Sequence, residues 1–247
     1  MIDIFLIPIL LMIVLVVMHS WFGMGILNRG IIFTDLAIAQ FAALGSAVSL
    51  GYFHESYFYP ITLGFALFCA VLIAIASQRD IKLEAFIGLL YVFGASGIMM
   101  VLSHSAEGME HFKSLLASDI LFTLSDDLYI SFGIYSAIGL VLYYIYPKLD
   151  GFFKELVFFS LLAVMVSSSV KLAGVLVVFV LLIAPPFLAY SLNVKKPLLF
   201  SFIYGWLFSI SAILFAYYLD MPTGYAIVFT GAFFSIVISL IKSKRYL

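Results

Sequence analysis

Apolar runs of membrane-crossing length alternate with short polar breaks along the whole chain. A helix needs roughly 20 predominantly apolar residues to cross a bilayer, and fewer where it packs inside protein. On that rule the sequence predicts nine spans, at about 3–26, 31–50, 58–77, 84–103, 128–146, 154–170, 173–191, 198–218 and 223–241. The narrowest division lies between the sixth and seventh, where only Lys171, Leu172, Ala173 and Gly174 intervene. Merging that pair into one broken element gives eight. The stretch 115–122 is too short to span and too apolar to stay in water, so it predicts a short surface or re-entrant helix. The expected fold is an all-α polytopic membrane protein, with residues 1–247 as a single transmembrane domain.

Polar positions inside the runs are few, which makes each one informative. Asp35 falls in the first two turns of the second span, and Gln40 follows five residues later. A charged side chain in hydrocarbon costs on the order of 3 kcal/mol, so an intramembrane acid marks a functional site by default. Ala37, Ala39, Ala42, Ala43, Gly45, Ser46 and Ala47 surround it with small side chains that let helix backbones approach closely. This helix is expected among others rather than against lipid, with Asp35 on a translocation path. The plainer alternative puts Asp35 at headgroup level, capping its helix. Pro185 and Pro186 lie inside the seventh span, where a proline pair frees carbonyls that a neighbouring helix or a cavity must satisfy. Ser125, Asp126 and Asp127 predict an N-terminal cap on the fifth span.

Composition and charge then fix class and orientation. Only 10% of the residues are charged, against about 25% in soluble domains, so no soluble domain is attached. The net charge of −1 gives no reason to expect a nucleic-acid partner. A single cysteine, Cys69, excludes an internal disulfide and a cysteine-based metal site. No basic region precedes the first apolar run, and Asp3 stands there instead, so that run is expected to remain a transmembrane helix. Cytoplasmic loops carry excess Lys and Arg. Placing the C-terminus inside, with Lys242, Lys244 and Arg245, puts ten of the twelve basic residues on one side of a nine-span chain, leaving only Lys113 and Lys171 outside. Merging the sixth and seventh spans destroys that asymmetry.

The chemistry is sparse. No G-x-x-x-x-G-K-[ST] phosphate loop, H-E-x-x-H or G-x-S-x-G occurs, so the chain is not expected to be an enzyme by itself or to hold a cofactor tightly. Outside the spans, His104, Glu107, Glu110 and His111 form one ligand-like group. On a helix, 104, 107 and 111 share a face, and imidazole with carboxylate suits zinc, manganese or iron. The alternative is a solvated acidic loop. His19, in the first span, either faces the path or bonds a nearby carbonyl.

Five stretches in order resemble the permease subunits of zinc, manganese and iron(II) ABC importers. They are R-G-I-I-F-T-D-L-A-I-A-Q-F-A-A-L-G from Arg29, E-A-F-I-G-L-L-Y from Glu84, L-L-A-S-D-I-L-F-T-L-S-D-D-L at 115–128, K-L-A-G-V-L-V-V-F-V-L-L-I-A-P-P at 171–186 and M-P-T-G-Y-A-I-V at 221–228. The resemblance implies a permease in the inner (plasma) membrane that moves a divalent metal ion inward as substrate. It further implies cytoplasmic ABC ATPase subunits, a second permease copy and an extracytoplasmic metal-binding protein as partners. Asp35 would be the path residue with Gln40 assisting, and Lys148, Asp150 and Lys154 in loop 147–155 would dock the ATPase. Two departures stand out: Ala39 occupies the position where the family often has histidine, and loop 147–155 is shorter than the family's cytoplasmic segment. They keep two rivals open, a secondary transporter or channel coupled through Asp35, and a non-transporting permease partner.

Overall fold

The structure is a computed structural model in which residues 2–53, 56–103 and 120–243 are described. Nine α-helices lie among these residues: α1 Ile2–Arg29, α2 Thr34–Phe53, α3 Phe58–Ala76, α4 Leu83–Leu102, α5 Ser125–Tyr144, α6 Gly151–Ala173, α7 Val175–Ser191, α8 Pro197–Tyr218 and α9 Thr223–Ser243. Single 3-10 turns occupy Ile120–Phe122 and Tyr146–Lys148, and the described residues contain no strand. Eight of these helices are long and apolar enough to cross a membrane, while α7, also apolar, is shorter at 17 residues. The close division between the sixth and seventh predicted spans is a real helix break. Gly174 stands between α6 and α7 with φ +83, a conformation that L side chains rarely adopt.

Two compact units emerge from the packing. The first comprises residues 1–30, 119–132 and 172–247. Within it α7 packs against α1, α8 and α9. Its buried side chains are Val177, Val178, Val180, Leu181, Leu182, Ala184, Pro185, Pro186, Leu188 and Ala189, and none carries a polar group. The helix runs through both prolines without interruption. Pro186 has no N–H to give the carbonyl of Leu182, and α1 closes that gap. A Cβ at Gly23 would run into the Leu182 oxygen and meet Pro186 Cγ at 3.0 Å, so the bare Cα of glycine is what lies against the freed carbonyl. The Tyr190 hydroxyl donates to Asn28 Oδ1 at 2.9 Å, and Trp206 Nε1 donates to the Ile13 carbonyl at 3.2 Å, tying α7 and α8 to α1.

The second unit comprises residues 31–118 and 133–171. Here α2 packs against α3 and α4. The small residues act as expected. A Cβ on Gly45 would sit 2.8 Å from the Ile61 carbonyl oxygen, and one on Gly94 would sit 2.9 Å from Gln40 Cβ. Leu44 and Ala47 of α2 complete an apolar cluster with Ile98 and Leu102 of α4. Ser46 and Thr62 share a hydrogen bond at 3.0 Å between α2 and α3. In the same unit Lys171, in the last turn of α6, donates to the Tyr59 hydroxyl at 2.7 Å, a cation placed where a helix C-terminus favours one.

Two expectations need correction or restriction. The cap of α5 falls one residue earlier than Ser125: Leu128 N–H bonds the Leu124 carbonyl, and the Leu124 N–H donates to Asp127 Oδ2 at 3.3 Å. Asp127, not Ser125, supplies the acceptor, in the reciprocal half of a capping box. The short helix expected at 115–122 lies mostly outside the described residues, and its described end is the 3-10 turn at Ile120–Phe122.

Candidate functional site

The site is built at the start of α2, within the second unit. Gly30, at φ +66, ends α1 in the left-handed conformation that glycine tolerates best. The chain turns through Ile31 and Ile32, and the first helical bond of α2 runs from Ala37 N–H to the Phe33 carbonyl at 3.1 Å. Phe33 is thus the N-cap, and its side chain offers no acceptor. Thr34 Oγ1 donates to the Ile31 carbonyl at 2.7 Å, so its hydroxyl closes the turn instead of capping the helix.

Asp35 follows in the first turn and is only 1% exposed. Its carboxylate oxygen Oδ1 has no hydrogen-bond partner among the described residues. The burial departs from a solvated headgroup cap. An unpartnered oxygen on a buried acid is costly unless something else meets it, which makes Asp35 a candidate functional residue. One turn on, Ala39 occupies the same face and is buried. Gln40 does not share that face. Five residues of helix rotate a side chain by about 140° from Asp35, and Gln40 lies on the side of α2 that meets Gly94 of α4.

A second carboxylate reaches this turn from α4. Glu84 lies in the first turn of that helix, and its Oε1 accepts from the Phe33 N–H at 3.4 Å. Its other oxygen, Oε2, is buried without a partner among the described residues. In the sequence Glu84 reads as an acid at its own helix start, where it favours the local dipole. The signal that points elsewhere is Phe33: an N-cap without an acceptor needs one from another element.

The remaining sequence-predicted residues divide plainly. His19, fully buried in α1 of the first unit, has Nδ1 2.7 Å from the Leu15 carbonyl, so Nδ1 carries the proton and donates to its own helix. This is the carbonyl-bonded alternative. Asp35 and Gln40 belong to the second unit. His104, Glu107, Glu110 and His111 lie outside the described residues. Among the described residues no three His, Cys, Asp or Glu side chains group closely enough to hold a metal ion. Lys148 ends the 3-10 turn Tyr146–Lys148, and both it and Asp150 are exposed. Lys154 lies 5.5 Å from the Tyr146 ring centroid, a cation–π contact that folds the start of α6 onto the turn. The connection between α5 and α6 therefore holds one 3-10 turn and no α-helix.

Comparison with known proteins gives three findings. The sequence profile of the ABC 3 transport family matches residues 1–242. No curated protein sequence matches the chain. Among solved structures, a chain of PsaBC from Streptococcus pneumoniae, in complex with Fab, is similar with TM-score 0.72 and 21% identity, covering 95% of this chain and 90% of that one. A metal-chelate type ABC transporter in an inward-facing conformation is similar with TM-score 0.69 and 15% identity, covering 95% and 85%. At these identities the structural likeness carries the fold alone.

Proposed function

The chain belongs to the ABC 3 transport family, and from that premise we propose that it carries a divalent metal ion inward across the plasma membrane as the permease of an ATP-driven complex. One observation carries the reading beyond the family: Asp35, buried in a helix of membrane-crossing length, keeps one carboxylate oxygen without a partner. A passing cation supplies the missing partner. Zinc, manganese and iron(II) all accept carboxylate oxygen.

One carboxylate is a poor site for such an ion, and Ala39 adds nothing one turn later. In this reading the ion keeps other ligands as it passes, from a second copy of the chain or from water. The chain works as a homodimer, with an extracytoplasmic binding protein delivering the ion and cytoplasmic ATPases driving it. Lys148, Asp150 and Lys154 face the ATPase, and the C-terminus with its basic cluster lies on the same side. The 3-10 turn replaces a longer coupling element, so the contact is small.

Two measurements test this. Affinity purification from the native membrane in mild detergent is expected to recover an ATPase subunit in stoichiometric amount. Vesicles holding that complex are expected to take up Mn²⁺ or Zn²⁺ only with ATP. Uptake driven by a proton gradient without any ATPase would overturn the reading in favour of a secondary transporter.

A further inference from the structure

We infer that Glu84 is a positioning residue for Asp35: it caps α2 from α4 and so holds the turn that carries the path carboxylate. The inference rests on the transport reading for its functional half, and on geometry alone for its structural half.

The comparison that carries it lies within the molecule. Helices α2 and α5 both begin on apolar N-caps, Phe33 and Leu124. A helix start leaves four N–H groups unsatisfied, and an acid or amide at the third helical position commonly reaches back to the N-cap N–H. In α5 that position is Asp127, and its Oδ2 accepts from the Leu124 N–H. In α2 the corresponding position is Leu36, which has no acceptor. The acceptor for the Phe33 N–H is Glu84, 51 residues away on another helix. The sequence thus lacks the local half of the capping box in α2, and α4 supplies it.

The consequence bears on Asp35 through the turn they share. Phe33 is two residues from Asp35, with Thr34 between them already bonded back to Ile31. Fixing the Phe33 N–H fixes the first turn of α2, and with it the direction of the Asp35 carboxylate. Glu84 Oε2 is unpartnered, so the rival role is that of a second ligand acting by charge. The two roles differ in what they need: a cap needs one neutral acceptor oxygen, and a ligand for a divalent ion needs the charge.

Three variants separate them. Glu84→Gln keeps an acceptor and loses the charge. Glu84→Ala loses both. Leu36→Gln in the Glu84→Ala background restores the capping box from within α2. The first readout is backbone hydrogen exchange of residues 30–37 in the purified full chain, without metal. Exchange is expected to rise about five-fold in Glu84→Ala, the loss of a typical cap, and to return to the wild-type rate in Glu84→Gln and in the Leu36→Gln double variant. The second readout is ATP-driven Mn²⁺ uptake by the ATPase complex. The Mn²⁺ concentration for half-maximal uptake is expected to rise in Glu84→Ala and to recover in the other two, while Glu84→Ala adds no further loss to Asp35→Asn. Glu84→Gln as damaging as Glu84→Ala, or additive losses with Asp35→Asn, would overturn positioning and make Glu84 a ligand. Unchanged exchange in Glu84→Ala would overturn the cap itself. A wild-type complex that takes up no Mn²⁺ would sink the transport reading instead, and exchange alone would then decide the cap.

Discussion

Helix α2 packs against α3 and α4 in one unit and α7 packs against α1, α8 and α9 in the other, and they differ in what is left unsatisfied. In α7 the defect is in the backbone: Pro186 frees the Leu182 carbonyl, and Gly23 of α1 lies flush against it. In α2 the defect is in a side chain: Asp35 is buried and nothing among the described residues meets its Oδ1. The first defect is covered within its own unit by a shape that only glycine permits. The second stays open. Burial and packing are alike in the two helices, so neither sets α2 apart. What sets it apart from α7 is a buried carboxylate oxygen without a partner among the described residues.

That contrast predicts a separation of stability from function. The largest effect is expected at the closed defect. Gly23→Val drives a side chain into the Leu182 carbonyl and should cost about 3 kcal/mol or more, read as loss of monodisperse protein in size-exclusion chromatography. Substantial folded protein from Gly23→Val would break the account of α7. At the open defect, Asp35→Asn should reduce metal uptake on the order of 100-fold, close to 2.7 kcal/mol of barrier, with the melting temperature unchanged. If Asp35→Asn instead unfolds the protein and leaves residual uptake intact, α2 is a scaffold like α7.

Smaller effects sharpen the same comparison. Gly94→Ala places a Cβ 2.9 Å from Gln40 Cβ and should lower stability by about 2 kcal/mol, measured by thermal melting in detergent. Pro186→Ala returns an N–H to the Leu182 carbonyl, so its effect should stay within about 1 kcal/mol in the same melt. A large loss there would mean that the proline ring, not the missing donor, shapes α7. Gly64→Ala is the control, because a Cβ at Gly64 of α3 meets nothing within 4 Å. It should gain roughly 0.5–1 kcal/mol from helix propensity.

Much of this was legible in one dimension because a bilayer imposes strong local rules. All nine apolar runs became helices, and the division at Lys171–Gly174 became a break because Gly174 alone adopts its backbone conformation readily. Asp35 could be singled out because charge inside an apolar run is costly wherever that run ends up. The small residues of α2 announced close packing, and Gly45 delivers it against α3. Other features were opaque for a common reason. The cap of α5 depended on whether Ser125 or Asp127 reached the N–H groups, a choice settled by a one-residue shift in where the helix starts. Gln40 looked like a partner for Asp35 by proximity in sequence, and helical rotation carries it to another face. Glu84 looked like an ordinary acidic helix start until the backbone of Phe33 came to lie beside it.

The sequence by itself determined the nine apolar runs that form helices among the described residues, eight of them of membrane-crossing length, and the acid inside one of them. These follow from hydropathy, length and the cost of a buried charge, which act within one segment at a time. The tertiary structure decided which defects remain open. Whether Gly23 covers the Leu182 carbonyl, whether Glu84 caps α2, and whether Asp35 Oδ1 finds a donor all depend on atoms far apart in the chain. A hydrogen bond is made or lost over a few tenths of an ångström, and no pattern of residue types along the chain carries that distance.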